Sequence, residues 1–296
     1  MNVPENNAMN RTLSEKISGI LILLVIIVSI CGCSGTNKTN QNDLQEDVTI
    51  TLFAAKSLIN PLDEIIKAYR EENPHVIIQT NYDSSGTLMT QVSEGGAECD
   101  IFFSASVKQI DELEKRNLII DGTRMDLLRN QLCVVTYKGS LTEVTGLTDL
   151  YKASSLAIAS ESVPVGDYTR RALINSGILN AKEDSSKITS NQISDVFGGV
   201  SINECANAGA VVTAVAEQSN EAGTVYYSDI YGHEDELQII EVIPVELTGE
   251  IIYPLAQIVN ADADDRELTE AKKFIDYLKS EESKAIYERY QFTAGP

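Results

Sequence analysis

The chain is poor in the residues that carry most enzyme chemistry. Its 296 residues include two histidines, His75 and His233, and no tryptophan. Both histidines stand beside turn-forming residues, and neither lies in a His-Glu-x-x-His or similar metal-binding spacing. No Gly-x-Ser-x-Gly nucleophile motif occurs. We therefore expect a protein that is not an enzyme, and a secreted hydrolase stays open as an alternative that no motif supports.

Basic residues are also scarce. Lysine and arginine number 23 against 44 aspartates and glutamates, so the net charge is −21. A nucleic-acid partner would require a basic face for its phosphates, and this composition argues against one. Acidic residues such as Asp111 and Glu114 fall on predicted helices, which is typical of a solvated surface.

Long apolar runs are limited to residues 20–28, which are too few for an ordinary membrane span. Basic residues precede this run, which predicts an export signal over 1–32 and a flexible polar tether over 33–47. The sequence at 30–33 resembles the bacterial lipoprotein cleavage motif, and the resemblance implies that Cys33 carries the lipid. An uncleaved anchor is the alternative. In either case the remaining chain is extracytoplasmic and held at the membrane.

Cysteine is infrequent in the rest of the chain. Only Cys99, Cys133 and Cys205 follow Cys33, and no Cys-x-x-Cys motif occurs. An odd number cannot pair completely within one molecule. We predict buried free thiols, with one disulfide as the alternative.

Short apolar strands alternate with amphipathic helices after residue 47, which predicts an α/β fold with mainly parallel sheets. The predicted strands cover 48–54, 76–82, 100–104, 131–137, 155–160, 223–227, 238–243 and 251–259. The predicted helices cover 61–72, 86–94, 106–117, 168–176, 208–219, 266–279 and 281–290. In open α/β sheets the ligand lies where strand ends meet helix N-termini.

One such junction follows the first predicted strand. Ser57 lies in a short turn after it, Asn60 is placed to cap the next helix, and Pro61 suits its first position. The free N–H groups and the partial positive charge of a helix start can hold an anion without a charged side chain. The turns at 83–88 and 163–168 have a related composition.

Two more stretches belong to this group. Residues 207–209 open a helix, and residues 224–229 form a strand that ends in tyrosines. Each of these stretches is also compatible with ordinary capping, turn formation or packing. Their order along the chain is what distinguishes them.

In that order, these stretches resemble the molybdate-binding proteins of bacterial ABC transporters. The resemblance covers residues 48–293 and depends on the following segments: 53–58 (FAAKSL), 83–88 (DSSGTL), 100–105 (DIFFSA), 127–132 (LLRNQL), 163–166 (VPVG), 225–229 (VYYSD), 253–255 (YPL) and 274–292 with Tyr277, Leu278 and Tyr290.

The resemblance implies a two-lobed periplasmic-binding-protein-like fold of type II, with the ligand in the cleft between the lobes. One lobe would comprise 48–129 plus 251–296 and the other 130–250. The implied oxyanion-binding positions are Ser57, Ser85, Val165, Ala208 and Tyr226. Serines would donate through hydroxyl and N–H, Val165 and Ala208 through backbone N–H, and Tyr226 through its hydroxyl.

Three positions depart from the family pattern. Lys56 stands where a small residue is common, and we expect a surface role for it rather than ligand contact. Cys99 replaces a usual alanine, and Gln291 replaces a usual glycine.

The function implied by the resemblance is capture of molybdate, and of tungstate with it, for delivery to an ABC permease and its ATPase. The chain lacks a Gly-x-x-x-x-Gly-Lys loop, so that ATPase is a separate protein. We expect a monomer with no cofactor, in which molybdenum is held only as its oxyanion. Without a carboxylate or histidine ligand, affinity should change little between about pH 6 and 8. A binding protein for another oxyanion such as sulfate remains an alternative.

Overall fold

The computed structural model describes residues 46–180, 182 and 184–295. The predicted export signal, the proposed lipidation site at Cys33 and nearly all of the predicted tether lie outside the described residues. No helix of the described part is both long and apolar enough to cross a membrane.

The first of two mixed sheets has six strands in the order β11-β4-β10-β3-β1-β2. Its strands are β1 (Val48–Ala55), β2 (Val76–Asp83), β3 (Ile101–Phe103), β4 (Met125–Asn130), β10 (Ile251–Gln257) and β11 (Thr293–Ala294). β1 runs parallel to β2 and β3, whereas β10 is antiparallel to β3 and β4.

The second sheet has five strands in the order β7-β6-β8-β5-β9. Its strands are β5 (Leu132–Tyr137), β6 (Ser155–Ala159), β7 (Ser201–Cys205), β8 (Ala222–Tyr226) and β9 (Leu237–Val242). β6 is parallel to β7 and β8, and β5 is antiparallel to β8 and β9.

Helices follow most strands. Their bounds are α1 (Ile59–Glu72), α2 (Ser85–Ser93), α3 (Val107–Lys115), α4 (Pro164–Asn175), α5 (Ser190–Val196), α6 (Ala208–Ala216), α7 (Val245–Thr248), α8 (Asp265–Leu278) and α9 (Glu281–Arg289). Short 3-10 turns occur at Lys56–Leu58, Leu147–Lys152, Ser185–Lys187 and Tyr227–Ile230.

The apolar periodicity of these helices explains their packing. In α1 the buried positions are Pro61, Leu62, Ile65, Ile66 and Tyr69, which recur every three or four residues and form one face. The central strands β3, β8 and β10 do not alternate, because nearly all of their residues are buried on both faces. The edge strands β2, β7 and β9 are mostly not buried.

The chain passes between the sheets at two places. β4 ends at Asn130 and β5 begins at Leu132 in the other sheet, while β10 returns to the first sheet at Ile251. The exact lobe boundaries given above remain a prediction.

The prediction of mainly parallel sheets was wrong. Because chain segments cross from one sheet to the other, β4, β10, β5 and β9 join their neighbours in antiparallel pairs. The polar strand β7 and strand β4 were not predicted. The fourth helix begins at Pro164 instead of residue 168, because proline fits the first turn of a helix.

The prediction for the cysteines is confirmed. Cys99, Cys133 and Cys205 are free and buried. Burial raises the pKa of each thiol, that of Cys133 to about 12. All three are therefore unreactive packing residues at neutral pH.

Candidate functional site

Ser57 is positioned by the end of β1. That strand runs directly into the 3-10 turn Lys56–Leu58, which places the Ser57 hydroxyl before α1. Ser57 Oγ lies 3.0 Å from the hydroxyl oxygen of Tyr253. Leu58 is fully buried next to it and fixes the turn on the core.

Ser85 is the first residue of α2, and Ser84 is its N-cap. Ser84 Oγ accepts a hydrogen bond from the N–H of Thr87 (3.1 Å). Ser85 is buried, and its Oγ accepts from the N–H of Ala105 (3.0 Å). Because a backbone N–H can only donate, Ser85 keeps its own hydroxyl hydrogen available for another acceptor.

Val165 lies in the first turn of α4, where N–H groups have no partner inside the helix. The next residue must be small: a side-chain carbon on Gly166 would lie 2.1 Å from the carbonyl oxygen of Ser160. The buried guanidinium of Arg170 also fixes this turn, because Nη1 donates to the carbonyls of Ala159 (2.7 Å) and Gly166 (3.0 Å). Glycine and arginine together hold the start of α4 against the end of β6.

Ala208 is the first residue of α6. Its N-cap, Asn207, has extended backbone (φ −163°, ψ 171°), and Asn207 Oδ1 accepts from the N–H of Ala210 (2.9 Å). The N–H of Ala208 has no intrahelical partner at this position. The start of α6, like that of α4, therefore has backbone N–H groups without intrahelical partners.

Tyr226 ends β8 and is 1% exposed. Its hydroxyl has no hydrogen-bond partner among the described residues. Burial, with the neighbouring Tyr253 hydroxyl second, raises the pKa of Tyr226 well above its usual value. Tyr226 is therefore a neutral phenol with an unused hydrogen, and such a buried group needs an acceptor.

All five predicted site residues line one small cavity. Its lining is Ala55, Lys56, Ser57, Asp83, Ser84, Ser85, Ala105, Val163, Pro164, Val165, Asn207, Ala208 and Tyr226. The cavity leaves about 10 Å³ for the centre of a water molecule. That is room for one compact group and excludes a sugar, peptide or nucleotide. The donors come from both sheets and from three helix starts.

Two charged residues border the cavity. The carboxylate of Asp83 is turned toward its own chain, since Oδ1 accepts from the N–H of Ser84 (2.7 Å). Lys56 reaches toward the second sheet: its Cε lies 3.5 Å from the point where Gly209 would carry a Cβ. Lys56 is exposed, as expected for a surface role. It also borders the cavity, which the sequence did not predict.

A larger groove opens beside the cavity and shares Lys56, Ser57 and Asn207 with it. It leaves about 700 Å³ and is also lined by Asp229 and His233. Asp229 Oδ2 accepts from the N–H of Tyr226 (3.0 Å). Burial raises the pKa of this carboxyl to about 7. An ionisable carboxyl, that of Asp229, is thus hydrogen-bonded to the backbone of the proposed site residue Tyr226.

Residues 50–293 match the family described as bacterial extracellular solute-binding protein. This chain belongs to that family. Relatives of this solute-binding protein confirm the resemblance to molybdate-binding proteins of ABC transporters. YvgL of Bacillus subtilis, named as a candidate substrate-binding lipoprotein of an ABC transporter, is 30% identical over 95% of this chain and 99% of its own length. The molybdate-binding protein ModA of Escherichia coli is 31% identical over 85% and 91%.

Solved structures of other solute-binding proteins share this fold. A substrate-binding domain from Clostridium difficile, named for a candidate molybdenum ABC transporter, aligns with 27% identity and a TM-score of 0.61, covering 84% of this chain and all of that one. The sulfate-binding protein SubI of Mycobacterium tuberculosis shares the fold at 15% identity, with a TM-score of 0.67 and coverage of 83% and 86%. The two-lobed type II fold is therefore confirmed. The relatives are extracytoplasmic transport proteins and not enzymes.

Among the residues described, no cluster of histidine, cysteine and carboxylate side chains could hold a bare metal ion. The site residues that sequence reasoning missed are Lys56, at the rim, and Tyr253, behind Ser57. Tyr253 belongs to the YPL segment of the resemblance, yet no local pattern indicates that its hydroxyl meets a serine 196 positions away.

Proposed function

We propose that this solute-binding protein captures molybdate, and tungstate with it, in the cavity formed by Ser57, Ser85, Val165, Ala208 and Tyr226. The metal is bound only as its oxyanion, so the donors contact oxygen atoms. The protein then delivers the ion to an ABC permease and its ATPase. We further propose that it acts as a monomer tethered to the membrane through a lipid on Cys33.

One observation carries this proposal: the buried hydroxyl of Tyr226 borders a cavity for one compact group and has no partner among the residues that the structure describes. An anion that accepts this hydrogen would satisfy a group that is otherwise costly to bury. Helix starts at Val165 and Ala208 add N–H donors and a partial positive charge. Hydrogen bonds to a charged acceptor are also the stronger kind.

The chemistry of the site favours a fully deprotonated tetrahedral dianion. Hydrogen phosphate carries a proton near neutral pH, and a site composed of donors offers that proton no acceptor. Sulfate carries no proton but is smaller, so it would contact fewer donors at once. Tungstate and molybdate are nearly equal in size and should bind with similar affinity.

The test is calorimetric titration of the purified protein with molybdate, tungstate, sulfate and phosphate at one ionic strength. We expect molybdate and tungstate to bind similarly and sulfate much more weakly. Equal affinity for sulfate and molybdate would refute the size argument and favour a general oxyanion carrier. Elemental analysis for Mo and W in protein purified without added oxyanion provides an independent readout.

Delivery and anchoring need separate tests. Metabolic labelling with a fatty acid should mark the native protein and not a Cys33→Ser variant, whereas equal labelling of the two would exclude Cys33. Closure of two lobes around the ion would present a joint surface to the permease. Small-angle scattering should therefore show a smaller radius of gyration after molybdate is added.

A further inference from the structure

A chain of buried hydrogen bonds leads from the first crossing between the sheets to Ser57. It begins at Asn130, the last residue of β4, which is 8% exposed. Asn130 Oδ1 accepts from the N–H of Gln131 (2.8 Å) and from the N–H of Ser228 (3.4 Å). Since backbone N–H groups can only donate, these contacts fix which end of the amide is oxygen.

The other end of the amide therefore donates. Asn130 Nδ2 donates to Ser228 Oγ (2.8 Å) and to the hydroxyl oxygen of Tyr253 (3.2 Å). Tyr253 is fully buried, and burial, followed by the charge of Asp229, raises its pKa well above the usual value. It thus remains a phenol that accepts one hydrogen bond from Asn130 and has one hydrogen to donate.

Ser57 lies within hydrogen-bonding distance of that hydroxyl. Ser57 Oγ lies 3.0 Å from the Tyr253 hydroxyl, and either oxygen can be the donor of this hydrogen bond. When Tyr253 donates, Ser57 accepts, and the hydrogen on Ser57 is left free to point into the cavity. Ser85 reaches the same state by a different route, because its Oγ accepts from the N–H of Ala105 (3.0 Å).

We propose that Asn130 and Tyr253 are positioning residues that orient the Ser57 hydroxyl as a donor to the bound oxyanion. This inference rests on the proposed function. Neither residue borders the cavity, and the Tyr253 hydroxyl meets Ser57, which does. This relay, the hydrogen-bond chain from Asn130 through Tyr253 to Ser57, also polarises the serine hydroxyl, because hydrogen bonds in a chain strengthen one another.

The relay has a consequence for selectivity. A serine whose oxygen is already occupied by a donated hydrogen bond accepts poorly from the ligand. Without Tyr253, the Ser57 hydroxyl could rotate and accept the proton of an ion such as hydrogen phosphate. The relay therefore works against protonated oxyanions as well as in favour of dianions.

The test is a double-mutant cycle with Ser57→Ala, Tyr253→Phe and the double variant, titrated with molybdate by calorimetry. We expect Ser57→Ala to weaken binding by about tenfold and Tyr253→Phe by about three- to tenfold. In the Ser57→Ala background, Tyr253→Phe should have almost no further effect. The ratio of phosphate to molybdate affinity should rise in Tyr253→Phe alone.

Tyr287→Phe is the matched control. Tyr287 is 1% exposed, its hydroxyl has no partner among the described residues, and it does not border the cavity. Removing its hydroxyl should leave affinity unchanged. If Tyr253→Phe fails to fold, Asn130→Ala tests the same relay, and its loss of affinity should also vanish in the Ser57→Ala background.

Two outcomes overturn the relay while the proposed function stands: native affinity in Tyr253→Phe, or equal fold losses from this substitution with and without Ser57. A wild-type protein that binds no oxyanion overturns the proposed function, and the relay with it. The wild-type titration and the cycle thus separate the two failures.

Discussion

The two sides of the cavity provide donors by different means. The side formed by the first sheet presents the hydroxyls of Ser57 and Ser85, which form hydrogen bonds with the Tyr253 hydroxyl and the N–H of Ala105. The side formed by the second sheet presents the N–H groups at the starts of α4 and α6 and the hydroxyl of Tyr226. Side-chain donors must be oriented by neighbours, whereas helix-start donors are oriented by the backbone itself.

The difference predicts how each side responds to mutation. A hydroxyl can be deleted with little change to the fold, while a backbone donor survives every side-chain substitution except proline. Asn207 and Gly166 shape these helix starts, since Asn207 caps α6 and Gly166 allows the start of α4 to approach the end of β6.

Ala208→Pro should have the largest effect. Proline suits the first position of a helix, and Asn207 before it is already extended, so α6 should form. The N–H is lost and a ring carbon occupies its place, so molybdate affinity should fall by roughly 100-fold or more. Calorimetry measures the affinity, and circular dichroism measures the helix content.

Glu281→Pro is the control, because it makes the same change at the first position of α9, where Glu281 is exposed. It should bind as the native protein does. If Ala208→Pro also binds normally, the second side of the cavity does not use this helix start.

Tyr226→Phe should weaken binding by about tenfold or more, because a hydrogen bond to a charged acceptor is lost. In the ligand-free protein the same change removes a buried hydroxyl without a partner among the described residues, so the melting temperature should stay equal or rise. Affinity and stability would then move in opposite directions. A large loss of ligand-free stability would show that the hydroxyl serves packing and not binding.

The pH dependence provides a third comparison, because the second side carries Asp229. Its pKa is raised by burial to about 7 from 3.8, so the folded protein holds the carboxyl neutral below that pH. Above it, the new negative charge opposes a dianion. Affinity should fall by roughly three- to tenfold as pH rises from 6 to 8. This revises the flat profile expected from the ligand positions alone.

Asp229→Asn should flatten that profile, and Glu217→Gln, a change at another acidic residue of the same groove, should not. The raised pKa also means that the ligand-free protein loses stability as the pH rises from about 4 to 7. A profile unchanged by Asp229→Asn would show that this carboxyl does not set the pH dependence of binding.

Lys56→Met should have the smallest effect. Lys56 belongs to the first side, and its side chain extends over the start of α6 at the rim. Because it is exposed, its attraction for the anion is screened by salt, and we expect about a threefold loss of affinity at low ionic strength. Stopped-flow association rates should show a weaker salt dependence. Lys67→Met, on an exposed position of α1, should leave both unchanged.

Sequence reasoning identified the two sides unequally. Ser57, Ser85 and Tyr226 carry hydroxyls at strand ends and helix starts, so their residue types indicated donors. Val165 and Ala208 act through the backbone, and their apolar side chains give no chemical signal. The family resemblance alone suggested them, and the structure places both beside the cavity. Their role as ligand donors remains a proposal.

Local pattern determined the class of this protein. Alternating strands and helices predicted α/β structure, the scarcity of histidine argued against metal and hydrolytic chemistry, and the order of the hydroxyl-bearing turns gave the family. The alternation depends on neighbours within a few positions, and composition and segment order are read directly along the chain, so none of these properties requires the three-dimensional structure.

The tertiary structure alone decided which of those groups meet. The antiparallel pairs arise where the chain crosses between sheets, and the unused hydroxyl of Tyr226 and the approach of Lys56 to α6 depend on residues far apart in sequence. So does the contact of Ser57 with Tyr253. Hydrogen bonding and burial depend on which groups lie close together in space, and these groups come together only when the two sheets pack.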